Sequence, residues 1–465
     1  MMNTATRPSD SATLGQRADP AGVVFAGLAL YFFASRLIPD VYVLPIGVSI
    51  RPSQALLAFL GVLWVYAMIV RPRPVPMGPT AILGVVVLAV IFAAPLINDA
   101  YLAGYQADAV ERGGMFTIFY AALFLASYYV GQRLDLARRV IGLVIGLTAV
   151  QALLAIYEHF TSAYITQVWP FLSLGFLDFD PGLGGRTFVF GTFRAGGFRP
   201  AATAPHPLVL SALIGLGLLL AIAFFAGAKK RSVRIWLGAA ILLDVYALLI
   251  GHTRTGILIA GVGGIVAVAF AFRKAPREIV SVVLAGVIGL QVAVLAAPKS
   301  ARVTLNLFTR MSGDTSFQGR LQDYSYVPIL ISRHPILGLG YFTHSPRVLL
   351  LDNSYFGTLI ELGVVGGLLV FAFFIALTLK PIHSFGEASR QDAAVLLSGI
   401  LAGMSLLLGM ATFDAVKFAQ FMPTILVILA LASARVDVHA RHRMIRRQEA
   451  RAAASAAADH HSSSA

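Results

Sequence analysis

The chain has 465 residues, of which 58% are hydrophobic and only 12% are charged. Soluble domains carry about a quarter charged residues, so this composition excludes a soluble globular protein. It predicts an all-α polytopic membrane protein, because apolar runs of about 17–23 residues match the roughly 30 Å hydrocarbon core of a bilayer. The absence of cysteine excludes disulfides, thiolate metal sites and cysteine nucleophiles.

Twelve apolar runs predict twelve transmembrane spans. In chain order they cover residues 21–38, 55–70, 79–97, 114–131, 139–157, 206–228, 235–251, 255–272, 278–297, 357–379, 391–411 and 418–434. Residues 1–20 are polar and do not resemble a cleavable signal peptide. We therefore expect a short N-terminal tail, followed by a first span that stays in the membrane.

Basic residues at alternate connections favour a cytoplasmic location for both termini. With this orientation every inner connection and the C-terminal tail are basic, through Arg71, Arg73, Arg133, Arg138, Arg139, Lys229, Lys230, Arg231, Arg234, Arg273, Lys274, Arg277, Lys380, Arg390, Arg435, Arg441, Arg443, Arg446, Arg447 and Arg451. Membrane topology thus accounts for most of the formal net charge of +14. We expect no nucleic-acid partner.

The two longest outer connections indicate where the functional site lies. They cover residues 158–205 and 298–356 of a transmembrane domain that spans 21–434. A basic, Ala-, Ser- and His-rich tail, 435–465, follows this domain, and we expect it to be disordered on the cytoplasmic side. Function usually resides on loops that a rigid scaffold holds, so we expect the site at the outer surface.

Arginine is unusually frequent in the outer connections. They contain Arg51, Arg112, Arg186, Arg194, Arg199, Arg254, Arg302, Arg310, Arg320, Arg333 and Arg347, against Lys299 and Lys417. The planar guanidinium binds phosphate and carboxylate groups through two parallel hydrogen bonds, which lysine cannot do. The set favours an anionic, phosphate-bearing ligand; the alternative is a series of ordinary salt bridges to Asp180, Asp314 and Asp323.

Two short motifs place arginines beside predicted helix ends. In FRAGGFRPAATAPHP, Arg194 and Arg199 precede a helix that begins at His206-Pro207. In GHTRTG, Arg254 lies in a turn between two spans, which keeps it near the membrane boundary. A charged group at such a position usually has a partner.

The connection before the tenth span carries further polar groups. FQGRLQDYSYVPILISRHP predicts an amphipathic helix on the membrane, beginning near Ser316 and ending at His334-Pro335. ILGLGYF then predicts a glycine-rich turn. DNSYFGTLIELG carries three polar side chains at the mouth of the span, with Glu361 about two turns further in; these are Asp352, Asn353 and Tyr355.

Four motifs in this order resemble the O-antigen ligase and O-antigen polymerase superfamily of bacterial envelope glycosyltransferases. They are RPAATAPHP (199–207), GHTRTG (251–256), GRLQDYSYVPILISRHPILGLGYF (319–342) and DNSYFGTLIELGVVGG (352–367). Together they cover about residues 190–370, and the layout of twelve spans is similar along the whole chain.

The resemblance implies a GT-C-like, metal-independent inverting transferase of the bacterial cytoplasmic membrane, with no cofactor and an active site that faces outward. Its donor would be a glycan on undecaprenyl diphosphate, and its acceptor a glycan or lipid-linked glycan. Arg199 and Arg254, with Arg194 nearby, would hold the diphosphate and stabilise it as it leaves. Further substrate contacts are expected from Arg320, Arg333, His344, Asn353 and Tyr355.

The general base is the point at which the chain departs from the family pattern. Ligases of this family typically carry a histidine where this chain has Asp352, and aspartate is intrinsically a weaker base. Asp352 would deprotonate the acceptor hydroxyl in a polymerase-like or exopolysaccharide-type relative. Alternatively, His344 or His334 supplies the base. We prefer Asp352, and the departure argues against a strict lipid A-core ligase.

Two other classes of protein compete with this interpretation. A transporter or flippase for lipid-linked glycans predicts charges along a central path and paired, interrupted helices. Asp244, within the seventh span, would then be a candidate proton-relay group. However, the sequence shows no internal repeat and places most of its charge at one face. A non-enzymatic scaffold protein leaves the outer arginines unexplained.

Overall fold

The computed structural model describes residues 19–38, 42–44, 51–73, 78–102, 104–165, 178–179, 193–194, 197–309, 315–344 and 351–463. Twelve of the helices in these ranges are long and apolar enough to cross a membrane, which confirms the predicted number of spans. Apart from helices, the described residues contain two antiparallel pairs of two-residue strands.

The helices are numbered in chain order. They are α1 (Pro20–Leu37), α2 (Pro52–Val70), α3 (Pro79–Ile97), α4 (Gly104–Gly131), α5 (Leu134–Thr161), α6 (Pro207–Gly227), α7 (Arg231–Ile250), α8 (Arg254–Phe272), α9 (Pro276–Ala296), α10 (Pro298–Thr309), α11 (Thr315–Tyr324), α12 (Val327–Arg333), α13 (Ser354–Leu379), α14 (Ile382–Phe385), α15 (Arg390–Thr412) and α16 (Phe421–Ser463). Two 3₁₀ helices cover Asp99–Tyr101 and Ala415–Lys417. Strand β1 (Tyr42–Val43) pairs with β2 (Asp178–Phe179), and β3 (Phe193–Arg194) pairs with β4 (Gly197–Phe198).

Helices α6, α15 and α16 form the centre of the bundle. Within their membrane spans 83%, 83% and 89% of residues are buried, against 17% in α3. Small residues allow close packing at this centre. A Cβ atom on Gly215 of α6 would lie 2.8 Å from the carbonyl oxygen of Gly256 in α8, so this helix crossing requires glycine.

Helix α13 is interrupted at Gly363, a break that the sequence did not predict. Gly363 has φ of +67°, which breaks the helical hydrogen-bond ladder. The backbone N–H groups of Val364 and Val365 donate instead to the carbonyl oxygens of Pro335 and Ile336, at 2.8 and 3.2 Å. The predicted glycine-rich turn thus packs into the break and satisfies its backbone groups.

The predicted amphipathic helix is two helices, which corrects the single helix expected from Ser316 to His334. Helix α11 begins at Thr315 and α12 ends at Arg333, close to the expected limits. A turn at Ser325 and Tyr326 separates them. Pro328 lies just inside α12, and its missing N–H and bulky ring prevent one continuous helix.

Residues 435–463 continue helix α16, which differs from the disordered tail expected from the sequence. Alanine and arginine are strong helix formers and dominate this segment. Its first turn is also held by ion pairs, since Arg435 lies 2.8 Å from Asp392 and Asp437 lies 2.7 Å from Lys380.

The bundle has two chemically different ends, named here after a residue at each. The Asp352 end holds the starts of α6, α8, α13 and α16 and the ends of α1, α5, α7 and α15, as the contacts below demonstrate. The Lys380 end holds the basic connections, and several acids pair with them. Glu278, for example, lies 3.3 Å from Arg234 and 3.1 Å from Arg390.

Candidate active site at the Asp352 end

Arg199 follows the β3–β4 hairpin and is buried, with 7% of its surface exposed. Its Nη2 atom lies 3.5 Å from the hydroxyl of Thr253, in the turn between α7 and α8. The Tyr164 hydroxyl donates to the Arg199 carbonyl oxygen at 3.3 Å. Arg199 is thereby held beside the turn that leads into Arg254. The side chain of Arg194, the second residue of β3, lies outside the described part of the chain.

Glu158, which the sequence analysis did not identify, fixes the segment that follows Arg199. Its buried carboxylate accepts hydrogen bonds from the backbone N–H groups of Ala201 and Ala202, each at 2.8 Å, and of Ile165 at 2.7 Å. These bonds stabilise Ala202 in a left-handed conformation, with φ of +49°. The available signal was an acidic residue at the end of an apolar run, which is costly without partners.

His206 connects the arginine and aspartate sides of the site. Its Nδ1 atom accepts the backbone N–H of Leu208 at 3.1 Å and caps helix α6. Burial and the charge of Arg199 lower the pKa of His206, the charge of Asp352 raises it, and the net result is a pKa of about 4. His206 is therefore neutral near pH 7. Since Nδ1 is an acceptor, Nε2 carries the proton and is a donor.

The turn between α7 and α8 is polar and tightly bonded. His252 is buried and left-handed, with φ of +46°, and the Thr253 hydroxyl donates to the Gly251 carbonyl oxygen at 2.8 Å. Burial, followed by the effects of His159 and Arg199, lowers the pKa of His252 to about 4. This turn therefore places a neutral imidazole, rather than a second cation, beside Arg199.

Arg254 begins helix α8 and links it to α10. Its Nε atom donates to the carbonyl oxygen of Leu307 at 2.6 Å. Thr304 of α10 donates through its hydroxyl to the Leu249 carbonyl oxygen at 2.9 Å. Helix α10 is therefore anchored across the end of α7 and the start of α8. Arg254 directly follows Thr253, which Arg199 contacts. Both predicted diphosphate ligands, Arg199 and Arg254, therefore lie at this turn.

Asp352 forms an ion pair with Arg320 of α11. The Arg320 Nη2 and Nε atoms lie 2.8 and 3.3 Å from Asp352 Oδ2. The two side chains keep 25% and 31% of their surface exposed, respectively, so solvent and substrate can reach them. Asp352 also acts on His206 electrostatically, as does Arg199. The structure thus brings Arg199, Arg320 and Asp352 to one end of the bundle.

Asn353 and Tyr355 have structural contacts at the start of α13. The Asn353 Oδ1 atom accepts the backbone N–H groups of Tyr355 and Phe356, at 3.0 and 3.2 Å, and caps the helix. The Tyr355 hydroxyl donates to the Leu407 carbonyl oxygen of α15 at 2.9 Å. Both side chains position Asp352 by fixing the helix that follows it. Their direct contact with substrate stays a prediction.

The other predicted site residues have contacts outside the ion pair of Arg320 and Asp352. The His344 N–H donates to Glu361 Oε1 at 3.2 Å. Glu361 lies seven residues beyond Ser354, about 10 Å along the helix axis. Arg333 is exposed at the end of α12, and the His334 ring packs 5.1 Å from the ring of Tyr101. Asp352 is a candidate base that pairs with an arginine at the mouth of α13.

Arg36 is a second group that the sequence analysis missed. It is 1% exposed near the end of α1, and its Nη1 and Nη2 atoms donate to Gln151 Oε1 at 3.0 Å and Thr424 Oγ1 at 2.7 Å. Gln151 also donates to Thr203 Oγ1 at 3.0 Å. This network supports the Arg199 segment from inside the bundle. An arginine within an apolar span is expensive, and that cost was the available signal.

The positive charge of Lys417, one of the two outer lysines, is balanced by acidic side chains of the protein. Its Nζ atom lies 2.7 Å from Glu361 and 3.4 Å from Asp414. Burial lowers the pKa of Lys417, but the charges of Glu361 and Asp414 outweigh this effect and raise it above its usual value. The Ser354 hydroxyl donates to Asp414 at 3.2 Å, which joins this cluster to the start of α13.

Comparison with known proteins bears on the same region. Residues 239–371 match the family model described as O-antigen ligase, and a comparison with curated proteins found no match. The matched segment contains Arg254, Arg320 and Asp352, whereas Arg199 and His206 precede it. The match confirms the resemblance to the O-antigen ligase and polymerase superfamily. Together with the twelve spans, it supports a multi-pass protein of the bacterial inner membrane that ligates or polymerises glycans.

Proposed function

We propose that this protein transfers or polymerises glycan from an undecaprenyl-diphosphate carrier at the outer face of the cytoplasmic membrane, during assembly of a cell-surface polysaccharide. The observation that carries the proposal is the convergence on His206. The charges of Arg199 and Asp352 both act on this neutral imidazole, and Arg199 also contacts the turn that leads into Arg254. A site for an anionic leaving group thus adjoins a carboxylate.

The orientation rests on the distribution of basic residues. The connections at the Lys380 end are basic, and the positive-inside rule favours a cytoplasmic location for them. The Asp352 end then faces outward, where the resemblance implies that the lipid-linked donor is presented. Both termini are cytoplasmic on this proposal.

Arginine side chains supply the positive charge on the donor side. Arg199 and Arg254, together with Arg194, bind the diphosphate oxygens through charge-assisted hydrogen bonds. As the bond between the anomeric carbon and the phosphate oxygen breaks, its electron pair moves to the diphosphate. The fixed guanidinium groups stabilise this developing charge, so no metal ion is required by the proposal.

Asp352 acts on the acceptor side. An acceptor hydroxyl oxygen attacks the anomeric carbon opposite the leaving diphosphate, so the configuration inverts. Asp352 takes the hydroxyl proton, and Arg320 holds its carboxylate in position. Neutral His206 offers an Nε2–H donor between the two sides. A hydrogen-bond donor, a base and anion-binding groups would then surround one reacting carbon.

The transporter alternative draws support from the interrupted helix α13, since transporters bind substrates at such breaks. Here, however, the freed groups of α13 are bonded to protein. The N–H of Val364 donates to the Pro335 carbonyl oxygen at 2.8 Å, and the Glu361 carbonyl oxygen accepts the N–H of Gly340, also at 2.8 Å. The break therefore favours a structural role over a substrate site.

The proposal is tested with purified protein, a polyprenyl-diphosphate-linked glycan and a glycan acceptor. Wild type should release polyprenyl diphosphate and elongate or modify the acceptor. Arg199→Ala and Arg254→Ala should each lower the rate by about 100-fold or more, the usual effect of removing a group that stabilises an oxyanion. Arg447→Ala, an exposed arginine on the far part of α16, is the matched control and should retain full activity.

Two outcomes would overturn the proposal. Transfer by Arg254→Ala at the wild-type rate would remove the phosphate-binding role. Movement of intact donor across vesicles, with no change in its glycan, would support a flippase instead.

A further inference from the structure

Helix α10 (Pro298–Thr309) lies across the rim of the bundle at the Asp352 end. Its Thr304 hydroxyl and its Leu307 carbonyl oxygen bond to Leu249 at the end of α7 and to Arg254 at the start of α8. The neighbouring spans α7, α8 and α9 have only 44%, 33% and 17% of their residues buried. Apolar spans with so little protein contact face lipid, so α10 lies where the bundle meets the bilayer surface.

Side chains at helical spacing divide α10 into three faces. Residues three, four or seven positions apart lie on the same side of an α-helix. The three sets are Ser300, Thr304 and Leu307; Ala301, Leu305 and Phe308; and Lys299, Arg302 and Asn306. The first set is buried against the protein. The second and third are named here the apolar face and the basic face.

The apolar face is suited to contact with hydrocarbon. Leu305 is 62% exposed and Phe308 is 37% exposed. Ala301, on the same face, packs against the buried cluster that contains Leu249 and Ala297. Large apolar side chains beside lipid-facing spans are typical of a helix that lies in the membrane interface, with these side chains among the upper parts of the acyl chains.

The basic face carries two cations that the protein does not balance. Lys299 and Arg302 are exposed, and α10 contains no acidic residue. Among the residues that the structure describes, neither cation forms an ion pair with a carboxylate. Cations held at a bilayer surface attract anionic headgroups, and each strengthens membrane binding by roughly fivefold.

The two exposed faces adjoin, which favours a phospholipid over a soluble anion. Arg302 and Leu305 are three residues apart, so their side chains are neighbours on the helix surface. A phospholipid satisfies both, because its phosphate and its acyl chains are joined in one molecule. A soluble polyanion would contact only the basic face and would leave Leu305 and Phe308 in water.

We infer that α10 is a docking helix for anionic phospholipid. The headgroups contact Lys299 and Arg302, and the acyl chains contact Leu305 and Phe308. The docking bears on the candidate active site, because Leu307 on the buried face accepts a hydrogen bond from Arg254. Assignment to the outer leaflet rests on the proposed function, which gives the Asp352 end its orientation, whereas the docking itself does not require glycan transfer.

The first test measures the depth of the two faces in phosphatidylcholine nanodiscs that also contain phosphatidylglycerol. The chain has no cysteine, so Leu305→Cys and Asn306→Cys each provide one labelling position for the same fluorophore. The label at 305 should be quenched more strongly by nitroxide on the acyl chains, and the label at 306 by acrylamide in the buffer. Equal quenching of both labels by acrylamide, with none by the nitroxide, would show that α10 stands clear of the bilayer.

The second test follows amide hydrogen exchange of α10 in nanodiscs with and without phosphatidylglycerol. In wild type, phosphatidylglycerol should slow this exchange by about fivefold or more, the effect of one cation at an anionic surface. Lys299→Gln combined with Arg302→Gln should abolish the response, and high salt should weaken it in wild type. The wild-type comparison changes only the lipid, so it stands even if a variant does not fold.

Two variants are matched controls for the loss of charge. Asn306→Gln changes the basic face without changing its charge. Lys229→Gln combined with Lys230→Gln removes two exposed cations at the Lys380 end. Both proteins should keep the wild-type response of α10 to phosphatidylglycerol.

Three results would overturn the inference. One is the absence of a response to phosphatidylglycerol in wild type, and another is an undiminished response after removal of both cations. The third is slower exchange with soluble dextran sulfate but not with phosphatidylglycerol, which would assign the basic face to an anionic glycan. Transfer by wild type without any lipid response would leave the proposed function intact. A full lipid response without any transfer would refute the proposed function and leave the docking helix standing.

Discussion

Both hydrogen bonds from the guanidinium of Arg320 go to the same oxygen of Asp352, Oδ2, at 2.8 and 3.3 Å. Arg320 therefore fixes the orientation of the carboxylate without using Oδ1. A carboxylate held in this way can receive a proton on its second oxygen, as a general base must. Arg320 thus positions the proposed base, while Asn353 and Tyr355 fix the helix start behind it.

We expect Asp352→Asn to lower the transfer rate by about 100-fold or more, with little change in donor binding. Asparagine keeps the shape of the side chain but does not accept a proton, and general-base catalysis commonly contributes 10²–10⁴-fold. Initial rates at saturating donor measure the effect. Full activity in this variant would place the base elsewhere, and His344→Ala and His334→Ala would then identify it.

His252 should make the protein less stable in mildly acidic solution. The pKa of His252 is about 4 in the folded protein, against a reference value of 6.5. Above pH 6.5 the imidazole is neutral in both states, and its contribution to stability is fully present. As the pH falls from about 6.5 to 4, the unfolded chain takes up a proton that the folded protein does not. Stability is lost by at most roughly 3 kcal/mol.

The measurement is the midpoint of thermal unfolding, followed from neutral pH to about pH 4.5. His252→Asn should flatten this dependence, and asparagine tolerates the left-handed backbone that the turn requires. His442→Asn, at an exposed histidine of α16, should leave it unchanged. An unaltered slope in His252→Asn would assign the acid sensitivity to other groups, His206 first among them.

The twelve spans could be predicted from the sequence because hydrophobic length is a local signal. Local signals also located the helix start at Pro207, whereas α13 begins at Ser354, three residues before the predicted residue 357. They failed at the end of α5, which extends to Thr161 rather than to residue 157. His159 and Glu158 look like loop residues in the sequence. In the fold, the backbone of Ala201 and Ala202 satisfies Glu158, about 43 residues away.

Long-range contacts explain what the sequence did not reveal about the site. The arginines could be assigned to one surface from topology, but their partners could not. Asp352 meets Arg320 across 32 positions of chain. The break at Gly363 depends on the carbonyl oxygens of Pro335 and Ile336, which belong to a separate segment. No local pattern encodes such pairings, so the structure was needed to find them.

Gly363→Ala should strongly destabilise the protein. A Cβ atom at this position would collide with the backbone of Ile336, and φ of +67° is strained for alanine. We expect a lower thermal unfolding midpoint and loss of the contact between α13 and the Pro335–Phe342 segment. Gly357→Ala, in the same helix with open space around its Cβ position, is the control. Alanine should be neutral or stabilising there. Equal stability of the two variants would contradict the role assigned to the break.

We expect the charges of the buried Glu361–Lys417 ion pair to stabilise the folded protein jointly, so that the effects of removing them are not additive. Lys417 Nζ lies 2.7 Å from the Glu361 carboxylate, beneath the segment that carries His344. Glu361→Met removes the nearer carboxylate and leaves a buried ammonium beside Asp414 and the Phe342 ring, so we expect a loss on the order of 3 kcal/mol. Glu361→Met combined with Lys417→Met removes both charges and should cost less than the sum of the two single changes. Chemical denaturation of wild type, the two single variants and the double variant measures this coupling.

The exposed pair of Arg133 and Asp135 is the control, and its double-mutant cycle should give a coupling energy of less than about 1 kcal/mol. Additive losses at Glu361 and Lys417 would show that the ion pair does not hold this part of α13 in place.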